Sequence, residues 1–533
     1  MQDKDRPPDR ALILQGGGAL GAYEVGALKG FFDKLSKEDR NSKKRKGRPM
    51  FDIVAGASIG AVNATILVDN VIHQKNKGAD TEKIWEDAIG TLSKFYEKIS
   101  QRGGTMHPMW WIDNVFLNNL FFRSFWSSWA QIKEFVNKQN EIFYKNSTLS
   151  DKEKIQEFIA NSPLLGGLYF WIFPDKWGLD ATEDLARRYY SYTSSIFLGS
   201  PGVLSPAMIQ PDLKFLDPFY WTHVFARYNN NPLTQTMKEF CTENFLIKTN
   251  RENEQKEPRL LVMAIDVGDF TTPVVFDSFA KKKKDEQYIW YSDYGLGEGT
   301  DSRFRIEYNG IEMKHIEASM ATPLRYEYPT FNVKNLEDGK ITKRTFWDGA
   351  FLANTPLRQV MQAHKQYWLE RGETDIPELE IFIVNLYPAT EKRVPSSPDA
   401  IQDRQIDITF HDRTKYEVRI DQMRSDYVEM VNDLKKLAEK HDPKMVEEIL
   451  EKNSRKQEKD GKFVKKRGLV EEKFSLGRVV YVERIEEAGS TIFAKAFDFS
   501  PQTIKNLIDN GEKAAKIAFD KCTKSHEDFY KNR

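Results

Sequence analysis

Two cysteines in 533 residues, Cys241 and Cys522, are too few and too far apart to form a disulfide framework. Net charge is absent as well. The 79 basic residues balance 79 acidic ones, so the overall charge does not call for capture of nucleic acid or an anionic surface. The longest apolar run, LLGGLYFWIF at 164–173, is half of the roughly 20 residues that a membrane-spanning helix needs. The polar start MQDKDRPPDR lacks the apolar region of a secretory signal. The 8 histidines show neither H-x-x-x-H nor H-E-x-x-H spacing, so no metal site and no cofactor is expected. A soluble, cytoplasmic protein of unknown oligomeric state is the expectation from these absences.

Among the features present, FDIVAGASIGAVNATIL (51–67) organises the chain. An apolar β-branched run enters Gly56-Ala57-Ser58-Ile59-Gly60, and residues of helical spacing follow. A G-x-S-x-G between strand and helix is a nucleophile elbow, a turn so tight that glycine is needed at Gly56 and Gly60. Ser58 then projects from the sheet edge at a helix N-terminus, where negative charge is stabilised. A chance glycine-rich turn with Ser58 as its cap is the plain alternative.

Residues 11–30, ALILQGGGALGAYEVGALKG, read as a strand, three glycines and an amphipathic helix. Such a turn presents N–H groups to an oxyanion or a phosphate. Gly16, Gly18 and Gly21 also satisfy G-x-G-x-x-G, but the second strand ends in Gly56-Ala57-Ser58 and has no carboxylate to hold a ribose. An oxyanion loop beside a serine elbow accounts for both stretches. The serine also needs a base. ASMATP (318–323) precedes a polar hairpin and RTFWDGAFLANTPL (344–357), where Asp348 is held at a turn. An ordinary Asp-Gly turn would read the same way.

In this order GGGALG (16–21), GASIG (56–60) and DGA (348–350) resemble the patatin-like phospholipase family, and ASMATP resembles its approach to the aspartate. The resemblance implies a three-layer α/β/α core with a mainly parallel sheet. It also implies a lipid acyl hydrolase with Ser58 as nucleophile and Asp348 as sole partner, with no histidine. Gly16, Gly17 and Gly18 would form the oxyanion loop, with the Gly17 and Gly18 N–H groups as donors. Leu20 stands where many members carry Arg or Lys, and Ala350 where glycine is frequent. The C-terminal FDFSPQTI (497–504) is similar to an extension of a prokaryotic subgroup. A triad α/β-hydrolase with His364 or His411 as base, and a non-catalytic lipid- or polyester-binding scaffold, are the alternatives. His364 reads as a surface helix residue.

The expected division is 1–72 and 258–390 for the two parts of the core, 73–257 for a helical insertion, and 391–533 for a C-terminal α+β extension. Eight of the 11 tryptophans fall between Trp85 and Trp221. DNVFLNNLFFRSFWSSW (113–129) would be a helix apolar on most of its surface, as either a packed subdomain or a lid against lipid. Expected partners are therefore an acyl-ester substrate and a lipid surface met through this insertion, without nucleic acid. SKEDRNSKKRKGRP (36–49) and Lys281–Lys284 read as solvated loops, 393–403 as a loop, and 379–386 as the last parallel strand. TPLRQVMQAHKQYWLER (355–371) reads as a helix begun by a Thr cap with Pro at its first turn.

Overall fold

The computed structural model describes residues 6–105, 199–206, 228–279, 304–390, 398–453, 476–484 and 495–531 with short gaps, plus residues 191 and 195 and strands 288–290, 456–459 and 462–465. The chain begins with β1 (Asp9–Leu14), a 3-10 turn at Gly18–Leu20, α1 (Gly21–Ser42), β2 (Ile53–Ala57), α2 (Ile59–Asn76) and α3 (Thr81–Thr105). The short strands β3 (Ser205–Pro206) and β4 (Tyr228–Asn229) pair ahead of α4 (Asn231–Phe240). Next come the hairpin β5 (Arg259–Asp266) and β6 (Asp269–Asp277), then β7 (Tyr288–Trp290), β8 (Phe304–Glu307) and α5 (Met313–Met320). β9 (Thr330–Asn335) and β10 (Ile341–Asp348) lead through α6 (Ala350–Ala353) and α7 (Leu357–Leu369) to β11 (Leu379–Asn385). The remainder is α8 (Pro398–Phe410), α9 (Thr414–Glu439), α10 (Pro443–Asn453), the hairpin β12 (Lys456–Lys459) and β13 (Lys462–Lys465), β14 (Leu476–Glu483), a 3-10 turn at Lys495–Phe497, and α11 (Pro501–Lys531).

One 10-stranded sheet runs in the order β14-β11-β1-β2-β5-β10-β9-β8-β7, with β6 also on β5. The first five are parallel neighbours. Apolar alternation sorts their side chains to two faces, as the pleat requires. Leu12, Leu14, Val54, Leu260 and Phe382 pack with residues of α1, α2, α3 and α11. Ala11, Ile13, Ala55, Leu261 and Ile383 pack with Leu357, Val360 and Ala363 of α7. The result is the three-layer α/β/α arrangement. Phe31, Phe51, Phe382 and Trp85 fill its first layer edge to face, with Phe51 and Trp85 5.6 Å apart.

Trp85 is thus a core residue. The other tryptophan clusters (110–111, 126/129, 171/177), the expected helix 113–129 and Lys281–Lys284 lie outside the described residues. Four expectations are corrected. The stretch 36–49 is not a solvated loop: α1 continues to Ser42, Arg45 is buried, and Arg45 and Arg48 both pair with Asp52 at 2.8 Å. These arginines close the N-terminal ends of β1 and β2, where backbone carbonyls and two carboxylates converge. Residues 398–403 are helical rather than loop, because Pro398 begins α8. β11 is followed by a further parallel strand, β14, whose Val480 and Val482 are buried. Pro356 rather than Thr355 occupies the cap position of α7, and the Thr355 hydroxyl instead accepts from Gln15 Nε2 at 2.6 Å.

Candidate active site

Two strands meet head to head along one edge of β5. β2 runs parallel to it and ends with Ala57 opposite Met263. β10 runs antiparallel and ends with Asp348 opposite Ala264, the next position. β6 takes the other edge over the same residues, so β2 and β10 must share this one. Ser58 and Asp348 therefore arrive together from positions 290 residues apart in sequence. Ser58 turns at φ 54, the one positive φ of a non-glycine among the described residues. Such a conformation is strained and persists only where the surroundings impose it. Here the Ser58 N–H donates to Ser319 Oγ at 3.0 Å, and the Ala61 N–H to Ser58 O at 2.9 Å. A Cβ on Gly56 would lie 2.3 Å from Gly60 O, and one on Gly60 2.5 Å from Leu14 O, so the elbow tolerates neither.

Asp348 is buried and its carboxylate accepts two hydrogen bonds. Ala350 N–H reaches Oδ1 at 2.9 Å and the Thr322 hydroxyl reaches Oδ2 at 3.1 Å, and the Ser58 hydroxyl lies close enough to favour the ionised carboxylate. Burial dominates over these bonds and pushes the carboxyl up to about 6. The small-residue segment before it has a purpose, since Ala321 O accepts the Asp348 N–H at 3.0 Å. Tyr387, buried, and Tyr326, half-buried, lie within electrostatic reach of Asp348.

The glycine loop lies against this pair. A Cβ on Gly16 would be 2.7 Å from Ser58 Cβ, and the Gly16 N–H donates to Asn354 Oδ1 at 2.7 Å. That N–H is occupied, leaving Gly17 and Gly18 as the loop amides with no acceptor among the described residues. Gly17 has an ordinary extended φ of 175. Gly18 has φ +57, and its missing Cβ would lie 2.3 Å from Ala496 O. Only glycine fits there.

Below the loop is a buried polar network. The Gln15 N–H donates to Glu24 Oε1 at 2.6 Å, and Gln15 Oε1 accepts the Leu386 N–H at 2.7 Å. Asn63 Nδ2 donates to Glu24 Oε2 at 2.8 Å and the Tyr96 hydroxyl to Asn63 Oδ1 at 3.1 Å. Burial pushes the Glu24 carboxyl well above the usual carboxylate range. Asn354 also donates to Phe410 O at 3.0 Å, joining loop, turn and α8. Gln15, Glu24, Thr322 and Asn354 were missed at the sequence level. The one usable signal was Asn354, a polar residue six positions past Asp348 in an otherwise apolar turn of helix.

Neither histidine hydrogen-bonds Ser58 or Asp348. His364 is buried rather than on the surface, with Nε2 3.0 Å from Asp9 Oδ2. Asp9 begins β1, whereas the glycine loop follows its end, a strand length of about 17 Å away at ~3.3 Å per residue. His411 Nδ1 donates to Tyr387 O at 2.7 Å. A serine at a strained elbow, a buried carboxylate brought beside it and two unbonded N–H groups make a set of parts for acyl transfer.

No group of three His, Cys, Asp or Glu suited to a metal ion occurs among the described residues, nor a helix long and apolar enough to cross a membrane. No curated protein matches the chain. A family model, patatin-like phospholipase, matches residues 12–361 and takes in the glycine loop, the elbow and Asp348. That family comprises hydrolases acting on lipid esters. With a match over well more than half its length, the chain belongs to the patatin-like phospholipase family.

Proposed function

We propose that the protein is a serine lipid acyl hydrolase working through a Ser58–Asp348 dyad. Asp348 takes the hydroxyl proton as Ser58 Oγ attacks the ester carbonyl carbon. The carbonyl oxygen becomes an oxyanion held by the Gly17 and Gly18 N–H groups, donors of a kind typically worth about 2.7–4 kcal/mol in the transition state. Collapse breaks the ester C–O bond, Asp348 returns its proton to the leaving alcohol, and an acyl-Ser58 remains. Water then gives a proton to Asp348 and attacks the acyl carbon. Ser58 leaves with that proton, and the free acid departs.

The observation that carries this reading is the register that brings Ser58 and Asp348 together along one edge of β5, with Asp348 buried and its carboxyl pushed up to about 6. A base with a pKa just below neutrality is ionised at working pH yet still holds a proton well during the attack. Purified protein incubated with p-nitrophenyl butyrate and p-nitrophenyl palmitate should release nitrophenol and, on acid quenching, carry an acyl group on the peptide containing Ser58. Turnover that survives Ser58→Ala in full, or an acyl group on another residue, would overturn the reading.

A further inference from the structure

β11 lies beside β1 in parallel register, with Val384 opposite Leu14. The chain leaving β11 therefore emerges alongside the glycine loop, and Tyr387 stands three residues past its register pair as Gly17 does. A Cβ on Gly17 would lie 3.4 Å from the Tyr387 hydroxyl oxygen. The rest of this tyrosine is fixed. Its N–H donates to Asn385 Oδ1 at 3.2 Å, and its carbonyl accepts from His411 Nδ1 at 2.7 Å. The preceding Leu386 donates its N–H to Gln15 Oε1 at 2.7 Å, and its carbonyl accepts from Arg484 Nε at 2.7 Å. The ring packs on Phe410, with centroids 5.5 Å apart.

Tyr387 is 4% exposed, yet its hydroxyl hydrogen-bonds no described residue. A buried tyrosine ordinarily finds a partner for that group. Tyr96 gives its proton to Asn63 Oδ1 at 3.1 Å, and Tyr23 to Glu483 O at 3.2 Å. Burial, with the neighbouring Asp407, raises the Tyr387 pKa, so the phenol keeps its proton and remains a donor. It is an unused donor beside the amides of Gly17 and Gly18 and within electrostatic reach of Asp348. We propose that the Tyr387 hydroxyl is a third donor to the oxyanion formed from the scissile carbonyl, alongside the Gly17 and Gly18 N–H groups. This rests on the acyl-transfer reading of Ser58, and adds to it a side chain from beyond residue 361, where the family match ends. A donor already fixed by its backbone and ring needs no reorganisation when charge appears on the ester oxygen.

The test compares full-length wild type with Tyr387→Phe, which removes the hydroxyl oxygen and keeps the ring on Phe410. With p-nitrophenyl butyrate, kcat should fall about 10²-fold while KM stays within about twofold, the pattern of a contact made only in the transition state. A trifluoromethyl ketone with a butyl chain, to which Ser58 adds to give an oxyanion, should bind the variant about 10²-fold more weakly. The unfluorinated ketone should bind both alike. The urea midpoint should not fall, since the lost oxygen bonds nothing in the fold. Unchanged kcat, equal affinity for the fluorinated ketone, or a kcat loss matched by a drop in stability overturns the proposal. A loss confined to alkyl esters overturns it too, because p-nitrophenoxide leaves without a proton and that pattern assigns the hydroxyl to the departing alcohol. The dyad reading fails on a different result, full activity of Asp348→Asn, and the Tyr387→Phe comparison then still decides. Wild type that cleaves no ester and binds no fluorinated ketone would remove both.

Discussion

The Gly16 amide donates to Asn354 Oδ1 across 2.7 Å, and this bond ties the glycine loop to the turn that carries Asp348. The proposed oxyanion donors and the proposed base are thereby linked through one side chain. Asn354→Ala should leave the buried Gly16 N–H unsatisfied and cost about 1–3 kcal/mol of stability in urea unfolding. The same change should lower kcat more than KM, because the loop loses its alignment to the transition state rather than its hold on substrate. A stability loss with kcat unaltered would show that the loop keeps its geometry without Asn354.

Gly17 and Gly18 separate on local conformation. Gly18 combines a positive φ with a carbonyl in the space of its Cβ, whereas Gly17 has an extended φ and a Cβ on it would meet the flexible tip of Leu386 at 2.7 Å. Gly18→Ala should therefore be much the more damaging substitution, with labelling by a fluorophosphonate slowed more than in Gly17→Ala. Equal labelling rates would remove the contact with Ala496 from the account.

Asp348 must be ionised to accept a proton, so kcat should fall tenfold per pH unit below about 6 and level off above it. For stability the direction is opposite. The unfolded carboxyl loses its proton near 3.8, while the folded one keeps it to about 6, so ionisation works against the fold as pH rises through this window. Asp348→Asn should then be more stable than wild type at pH 8, by up to about 3 kcal/mol, with the gap closing below pH 4. Urea midpoints at the two pH values measure this; a variant less stable at pH 8 contradicts it.

The histidines test the dyad from the other side. His364→Ala deprives buried Asp9 of one hydrogen bond and should destabilise by about 1–3 kcal/mol. Turnover per folded molecule should stay at the wild-type level in His364→Ala and His411→Ala. A folded histidine variant as inactive as Ser58→Ala would restore a triad.

The elements around Ser58, Gly18 and Asp348 were legible because each is a local constraint: a turn too tight for side chains, or an aspartate before a glycine. Residues whose meaning depends on distant partners were not. His364 sits among Gln and Lys in sequence, yet its partner is Asp9, 355 positions away, so helical neighbours suggested a surface that does not exist. Arg45 and Arg48 look like part of a solvated basic loop until Asp9 and Asp52 come beside them. Gln15 and Glu24 carry no motif at all, and only the packed network under the loop gives them a role. β14 follows a long charged stretch, and nothing local says that it will add to the parallel edge of β11.

The most direct measurement is the rate at which Asp348→Asn forms the acyl-enzyme on Ser58 from p-nitrophenyl butyrate at pH 8. Asparagine keeps the shape and can still accept the Ala350 N–H, but it cannot take a proton. The account predicts a loss of about 10⁴ relative to wild type, the scale set by disturbing the base of a catalytic serine. An Asp348→Asn protein that acylates Ser58 within tenfold of the wild-type rate would contradict the dyad.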